Sequence, residues 1–333
     1  MSFPGIARRG DALGIDPLSE RRSVSSAPTA WDYFADRAFR GLATVGVWLI
    51  LLLLAYILWT IGGKAWIGMR EYGVSFLTST TWDVGRGQFG ILPHIWGTLY
   101  SSMLALAIGG FFGVAMGIFL TQDFLPARIA QVFRTIIELL AAIPSVVYGL
   151  WGLFVVVPAM RPVANWLFEK LGWIPFFGST LSGPGMAPAA LVLAIMVLPT
   201  VAAVSQDAFR LIPYRVKEAA YGLGATRWEA ILRVLLPAAS TGIFGALVLG
   251  FGRALGETMA LAMLIGNSNQ ISLSLFSPAN TLAALLALNF PEAGAHEVQV
   301  LMYAALVLLA ITLLVNVVGE AIMVVSAKRG GRR

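Results

Sequence analysis

Residues 42–61 read LATVGVWLILLLLAYILWTI, twenty residues without a charge. As an α-helix rising 1.5 Å per residue, that run covers about 30 Å, the thickness of a bilayer's hydrocarbon core. Five further stretches are long and apolar enough to do the same, near 95–120, 129–157, 188–209, 241–266 and 298–325. The fold class that follows is all-α: a polytopic membrane protein with six transmembrane helices.

Composition agrees. Of the 333 residues 58% are hydrophobic and 12% charged, about half the charge of a soluble domain. A soluble enzyme, a disordered scaffold and an ordinary DNA-binding domain are thereby excluded. The net charge of +6 is informative through its placement. Seventeen of the 23 Lys and Arg residues fall in 1–41, 121–134, 210–240 and 326–333, and five in the intervening loops. Positive charge stays inside, so both termini are placed in the cytoplasm, and no nucleic acid is implied. Cysteine is absent, which removes disulfides and thiolate metal sites, and His94 and His296 are the two histidines.

Three regions are thus expected: a cytoplasmic tail over 1–41, a transmembrane domain over 42–325 and a basic cytoplasmic end over 326–333. No apolar signal-peptide core interrupts 1–41. Within it Trp31, Phe34, Ala35 and Ala38 lie opposite Asp32, Asp36, Arg37 and Arg40, which predicts a short helix on the inner lipid surface. The outer loops, rich in Gly, Pro and aromatic residues, suit either interfacial anchoring or an external partner. Small residues recur every four positions at Ala105, Gly109, Gly113 and Gly117, at Gly242, Ala246, Gly250 and Ala254, and at Gly252, Gly256 and Ala260. Such rows let helices approach closely in lipid. Pro144 and Pro199 are each expected to kink a span.

The loop over 210–240 carries the most specific spacing. Glu218-Ala219-Ala220 is followed at a fixed distance by Gly224, and, with nine residues between, by Val234, Leu236 and Pro237. This resembles the EAA loop of bacterial ABC importer permeases, with Val234 in place of isoleucine. A short helix here, turned sharply at Gly222 and Gly224, would seat in a groove on a soluble ATPase. The chain contains no G-x-x-x-x-G-K-[ST] phosphate loop, so it is read as a transport subunit without its own ATPase site, the ATP and Mg2+ being used by a partner.

Span 5 holds Arg253 near its predicted middle, with Glu257 one helical turn on. A mid-bilayer Arg costs about 2.5–3.5 kcal/mol on insertion scales. The pair is either a clasp within the bundle or an anion site, in which the guanidinium fork grips an oxyanion. Around it GRALGETMA (252–260) resembles the phosphate ABC transporter permeases, as do ELLAAIPSVVYG (138–149), FGILPHIWGTL (89–99) and EAAYGLGAT (218–226). Within that family the sequence is similar to the PstC type rather than its PstA paralogue. The resemblance implies a six-helix ABC importer permease bundle in the inner (cytoplasmic) membrane, with an inward path for inorganic phosphate. It implies functional weight on Arg253 and Glu257, extended here to Thr258. Its implied partners are a PstA-type permease, a dimeric PstB-type ATPase, a PstS-type phosphate-binding protein and a phosphate-signalling regulator.

Glu138, nine residues into the predicted third span, faces either the path or a polar partner in the bundle. Ser145 and Tyr148 either donate hydroxyls to a passing anion or bond to their own helix backbone. Another oxyanion (sulfate, molybdate, a phosphonate) would fit the same machine, and an ion-coupled secondary carrier is the competing class. A membrane enzyme finds no paired carboxylates, metal cluster or nucleophile–base arrangement.

Overall fold

The computed structural model describes residues 29–122 and 124–330, with side chains through residue 324. The expectation for residues 1–28 and the side chains of the basic end lie outside the described residues. In chain order the helices are α1 (Ala30–Tyr72), α2 (Ser75–Thr78), α3 (Leu92–Thr121), α4 (Ala127–Ala142), α5 (Ser145–Trp151), α6 (Val157–Leu171) and α7 (Met186–Arg210). There follow α8 (Tyr214–Gly222), α9 (Arg227–Ala230), α10 (Leu236–Leu255), α11 (Met259–Leu264), α12 (Leu282–Asn289) and α13 (Ala295–Gly330). A two-stranded hairpin, β1 (Trp82–Asp83) with β2 (Gln88–Phe89), lies between α2 and α3. Among the described residues six helical runs are long and apolar enough to cross a membrane: 30–72, 92–121, 145–171, 186–210, 227–255 and 295–324. The all-α polytopic class therefore stands.

Residues 30–59 form a compact unit of their own. They belong to one continuous helix, α1, of 43 residues. The short surface helix expected over 30–40 is not a separate element. Nothing between Arg40 and Leu42 stops a helix: Gly41 costs about 1 kcal/mol, and no proline intervenes. At about 64 Å, α1 is roughly twice the hydrocarbon thickness.

In the second unit, α7 is the central helix, with most of its middle buried. The small-residue row of α3 packs against it. A Cβ added at Gly109 would lie 2.5 Å from the Ala194 carbonyl oxygen, and one at Gly113 would lie 2.8 Å from Val201. The first row of α10 packs on α7 likewise, Gly242 against Ala208 and Gly250 against Val201 and Val197. The second predicted row does not act as one stripe. Gly252 faces Asn316 of α13, while Ala260 in α11 meets Gly149 of α5. The Gly109 contact is backbone against backbone, so neither side can yield. Gly109→Leu is expected to destabilise the α3–α7 pair by about 1–3 kcal/mol or more. Thermal unfolding of the detergent-solubilised protein checks this, as a lowered midpoint.

The third span differs from expectation. In place of 129–157 kinked at Pro144, the chain breaks there, and the spanning run is 145–171. Ile143 is extended (φ −67°, ψ 127°), as is Pro144 (φ −61°, ψ 142°). The proline ring disfavours helical geometry in the residue before it, and here that preference prevails. Pro199, by contrast, lies inside an unbroken α7.

Two π turns were not foreseen, Gly152–Val156 and Ile231–Leu235, each within a spanning run. Each ends two residues before a proline, Pro158 and Pro237. A proline inside a helix lacks an N–H and its ring clashes with the carbonyl four residues back; widening the preceding turn accommodates both. The Leu236-Pro237 pair of the loop motif is thus the site of a π-to-α junction.

Candidate transport site and coupling face

The inner side is taken as the side of the 210–240 loop. Gly250 of α10 packs against Val197 and Val201 of α7 and lies 3.9 Å, by its added Cβ, from Leu106 of α3. Those partners are the middle residues of α7 and α3, so Gly250 marks the midplane. Arg253 is three residues, about 4.5 Å, further out. It is therefore a mid-membrane cation, although α10 ends only two residues later, at Leu255.

The helical context of Arg253 departs from the predicted continuous span over 241–266. Gly256 closes α10, and Glu257 and Thr258 lie in a break before α11. The Glu257 N–H donates to the Ala254 carbonyl at 3.4 Å, and the Thr258 hydroxyl donates to the Gly256 carbonyl at 3.1 Å. Arg253 thus sits in the last turn of α10, where the helix dipole favours a cation. The clasp, one of the two alternatives for Arg253 and Glu257, is not formed: no ion pair within 4.0 Å joins them among the described residues. Once α10 stops, the one-turn register that would align them no longer exists. Arg253 is exposed on this chain and Glu257 half-buried, whereas Ala254 and Leu255 are buried.

The second break comes to the same place. Gly149 of α5 approaches α11 closely, its added Cβ falling 3.3 Å from the Ala260 Cα and 2.7 Å from the Met263 sulfur. The Arg253 charge lies within electrostatic reach of the Tyr148 phenol. Tyr148 is buried, and its hydroxyl donates to the Leu140 carbonyl at 2.9 Å. That bond spans the α4–α5 break and satisfies one of the last carbonyls of α4. The backbone partner of Tyr148 thus belongs to α4 and not to its own helix. The first α5 amide taken is that of Val147, by the Pro144 carbonyl at 3.0 Å. The amides of Ser145 and Val146 thus begin the helix without intrahelical acceptors. Two interrupted helices meet beside Arg253. Glu138 is not in this group: it lies on α4, beside a cavity at the inner end of α7.

The 210–240 loop folds as a helix, a tight turn and a second helix. Glu218, Ala219 and Ala220 lie on α8. Ala220 is buried and Glu218 and Ala219 are exposed. At the end of α8 the Ala225 N–H donates to the Ala220 carbonyl at 3.1 Å and the Gly224 N–H to the Tyr221 carbonyl at 2.9 Å. This is a Schellman turn, and Gly224 holds its left-handed position at φ 83°. The fixed glycine of the motif therefore has a backbone reason. Thr226 and Glu229 then form a reciprocal capping box at the start of α9. The sequence reading missed Leu223, 90% exposed at the tip of the turn, and Leu211, Tyr214 and Trp228, also exposed. All four are exposed apolar side chains on the same 210–240 loop as Glu218.

The profile of the binding-protein-dependent transport system inner membrane component family matches residues 113–330. The chain belongs to that family. Among its relatives, the phosphate transport system permease protein PstC of Haemophilus influenzae is 40% identical over 290 residues, 86% of this chain and 92% of the relative. The PstC of Mesorhizobium japonicum is 37% identical over 322 residues, 95% of this chain and 98% of the relative. The solved structure of a bacterial alginate ABC transporter, in complex with alginate pentasaccharide-bound periplasmic protein, has a subunit similar in fold. Its TM-score is 0.58 at 18% identity, over 87% of this chain and 98% of that one. The permease is accordingly PstC-type, a multi-pass protein of the inner membrane and a transport subunit rather than an enzyme.

Proposed function

We propose that this permease forms one half of the path by which an ATP-driven importer moves inorganic phosphate into the cytoplasm. The observation that carries the reading is Arg253, exposed on this chain at mid-membrane and paired with no carboxylate among the described residues. A cation so placed is costly against lipid, so it calls for a water-filled path or a polar partner surface. A PstA-type permease packed on that face would supply the other wall. The guanidinium presents a fork of donors to a tetrahedral oxyanion, and the Ser145 and Val146 amides at the start of α5 add positive potential. Glu257 lines the same break as a hydrogen-bond acceptor, and the lone pairs of Thr258 remain available beside it.

A PstS-type protein would deliver phosphate to the outer loops. The exposed Leu223, Tyr214 and Trp228 around Glu218 would dock on a dimeric PstB-type ATPase, which holds the ATP and Mg2+. A phosphate-signalling regulator would associate with the assembled complex. Cells expressing the chain with these partners are expected to take up labelled phosphate that excess unlabelled phosphate displaces and equimolar sulfate or molybdate does not. Equal displacement by sulfate would assign the path to another oxyanion.

A further inference from the structure

The inner end of the bundle holds a cluster of charges that the transport site does not use. α4 and α7 line a cavity of about 160 Å3 into which Arg134, Glu138, Asp207 and Arg210 project, with Gln206 beside them. Two guanidiniums and two carboxylates cancel, so an anion entering this cavity gains no net attraction. The arrangement suits a contact between the helices better than a binding site. Each helix contributes one charge of either sign, four residues apart on α4 and three apart on α7.

The pairing is local. Arg210 bridges Asp207 at 3.5 Å on its own helix, with both side chains at least half exposed. Arg134 is drawn toward α3, donating through Nη2 to the Leu120 carbonyl at 3.2 Å, while its buried Nε has no partner. Glu138 forms no ion pair, and none within 4.0 Å crosses the cavity among the described residues. Arg210 therefore has two carboxylates available, Asp207 behind it and Glu138 on the opposing helix.

Connectivity gives that choice a consequence. Arg210 is the last residue of α7, and only Leu211, Ile212 and Pro213 separate it from the coupling helix α8. Glu138 is six residues before Pro144, on a helix whose last turn is tied to α5 through Tyr148. We infer that Arg210 exchanges Asp207 for Glu138 as the cavity closes, and that this latch relays movement of α8 through α4 to the break beside Arg253. The inference rests on the transport reading for its purpose and on the cavity for its geometry. Glu138 is on this account a positioning residue, acting on the path through α4.

The chain has no cysteine of its own, so a Glu138→Cys/Arg210→Cys pair can be cross-linked in the full complex without background from this subunit. Cross-linking by a short bifunctional thiol reagent should differ at least fivefold between the resting complex and the ATP–vanadate-trapped complex. Glu138→Arg and Arg210→Glu singly should each lower uptake at least tenfold with the ATPase still bound and hydrolysing. The double exchange Glu138→Arg/Arg210→Glu should recover at least a third of the parent rate. Equal cross-linking in the two states, or a double exchange no better than either single change, would overturn the latch. Failure of the parent complex to take up phosphate would instead remove the transport reading, leaving the cross-linking yields to decide the latch separately.

Discussion

Arg253→Gln is expected to lower phosphate uptake on the order of 100-fold, the loss of about 3 kcal/mol from a charge-assisted contact to the anion. The complex should still assemble, because among the described residues the guanidinium makes no ion pair that its removal would break. The neighbouring residues that carry the packing, Ala254 and Leu255, are buried and untouched. Arg253→Lys is the sharper variant. It keeps the charge and loses the planar fork, so uptake should fall to an intermediate level, about tenfold below the parent. Uptake by the Lys form equal to the parent would reduce the role of Arg253 to a point charge. Membrane levels and partner co-purification, measured alongside uptake, separate a lost site from a lost fold.

The second large effect is expected at Gly224. Its φ of 83° is a left-handed conformation that costs a residue with a Cβ about 1–2 kcal/mol, and a β-branched residue more. No atom lies within 4 Å of where that Cβ would be, so the penalty is one of backbone strain and not of crowding. Gly224→Val should therefore open the Schellman turn, misdirect Leu223 and Glu218, and detach or uncouple the ATPase while leaving the transmembrane bundle intact. Gly222 is the control. It also has open space around it but no left-handed φ, so Gly222→Ala should leave coupling within about twofold and firm the helix by up to about 1 kcal/mol. Co-purification of the ATPase with the two variants, and the ratio of ATP hydrolysed to phosphate moved, read the difference. If both glycines tolerate substitution equally, the turn is not what positions the coupling surface.

Much of this was legible in the sequence because lipid enforces a strong pattern. A charge-free run such as 42–61 leaves few alternatives to a spanning helix, and the asymmetry of Lys and Arg orients the bundle. The EAA spacing was legible because its glycine answers to a local backbone demand. The breaks were less so. A run such as 129–157 is apolar on both sides of Pro144, and composition alone does not distinguish a kinked helix from an interrupted one; the extended Ile143 decides it. The span around Arg253 misled in the same way, since 241–266 stays apolar across Gly256 while the backbone ends a helix there. For Glu138 the sequence leaves both the path and a polar partner in the bundle open, since 129–157 reads as one span. With α4 a separate element, it belongs to the inner cavity. The π turns carried a signal, a proline deep in an apolar run, whose effect is read as a kink when the helix in fact widens ahead of it. Leu223 had no periodic signal, because its exposure is set by the turn and not by a helical face.

The central claim is that this chain lines an ATP-driven path for phosphate and is not a carrier run by an ion gradient. The direct measurement is uptake of labelled phosphate into proteoliposomes holding the purified complex and its binding protein, with ATP on the ATPase side. Proton and sodium gradients are collapsed by ionophores throughout. Accumulation that requires ATP hydrolysis and persists without either gradient is the predicted result. Uptake that follows an imposed gradient and continues when the ATPase subunit is left out would contradict it.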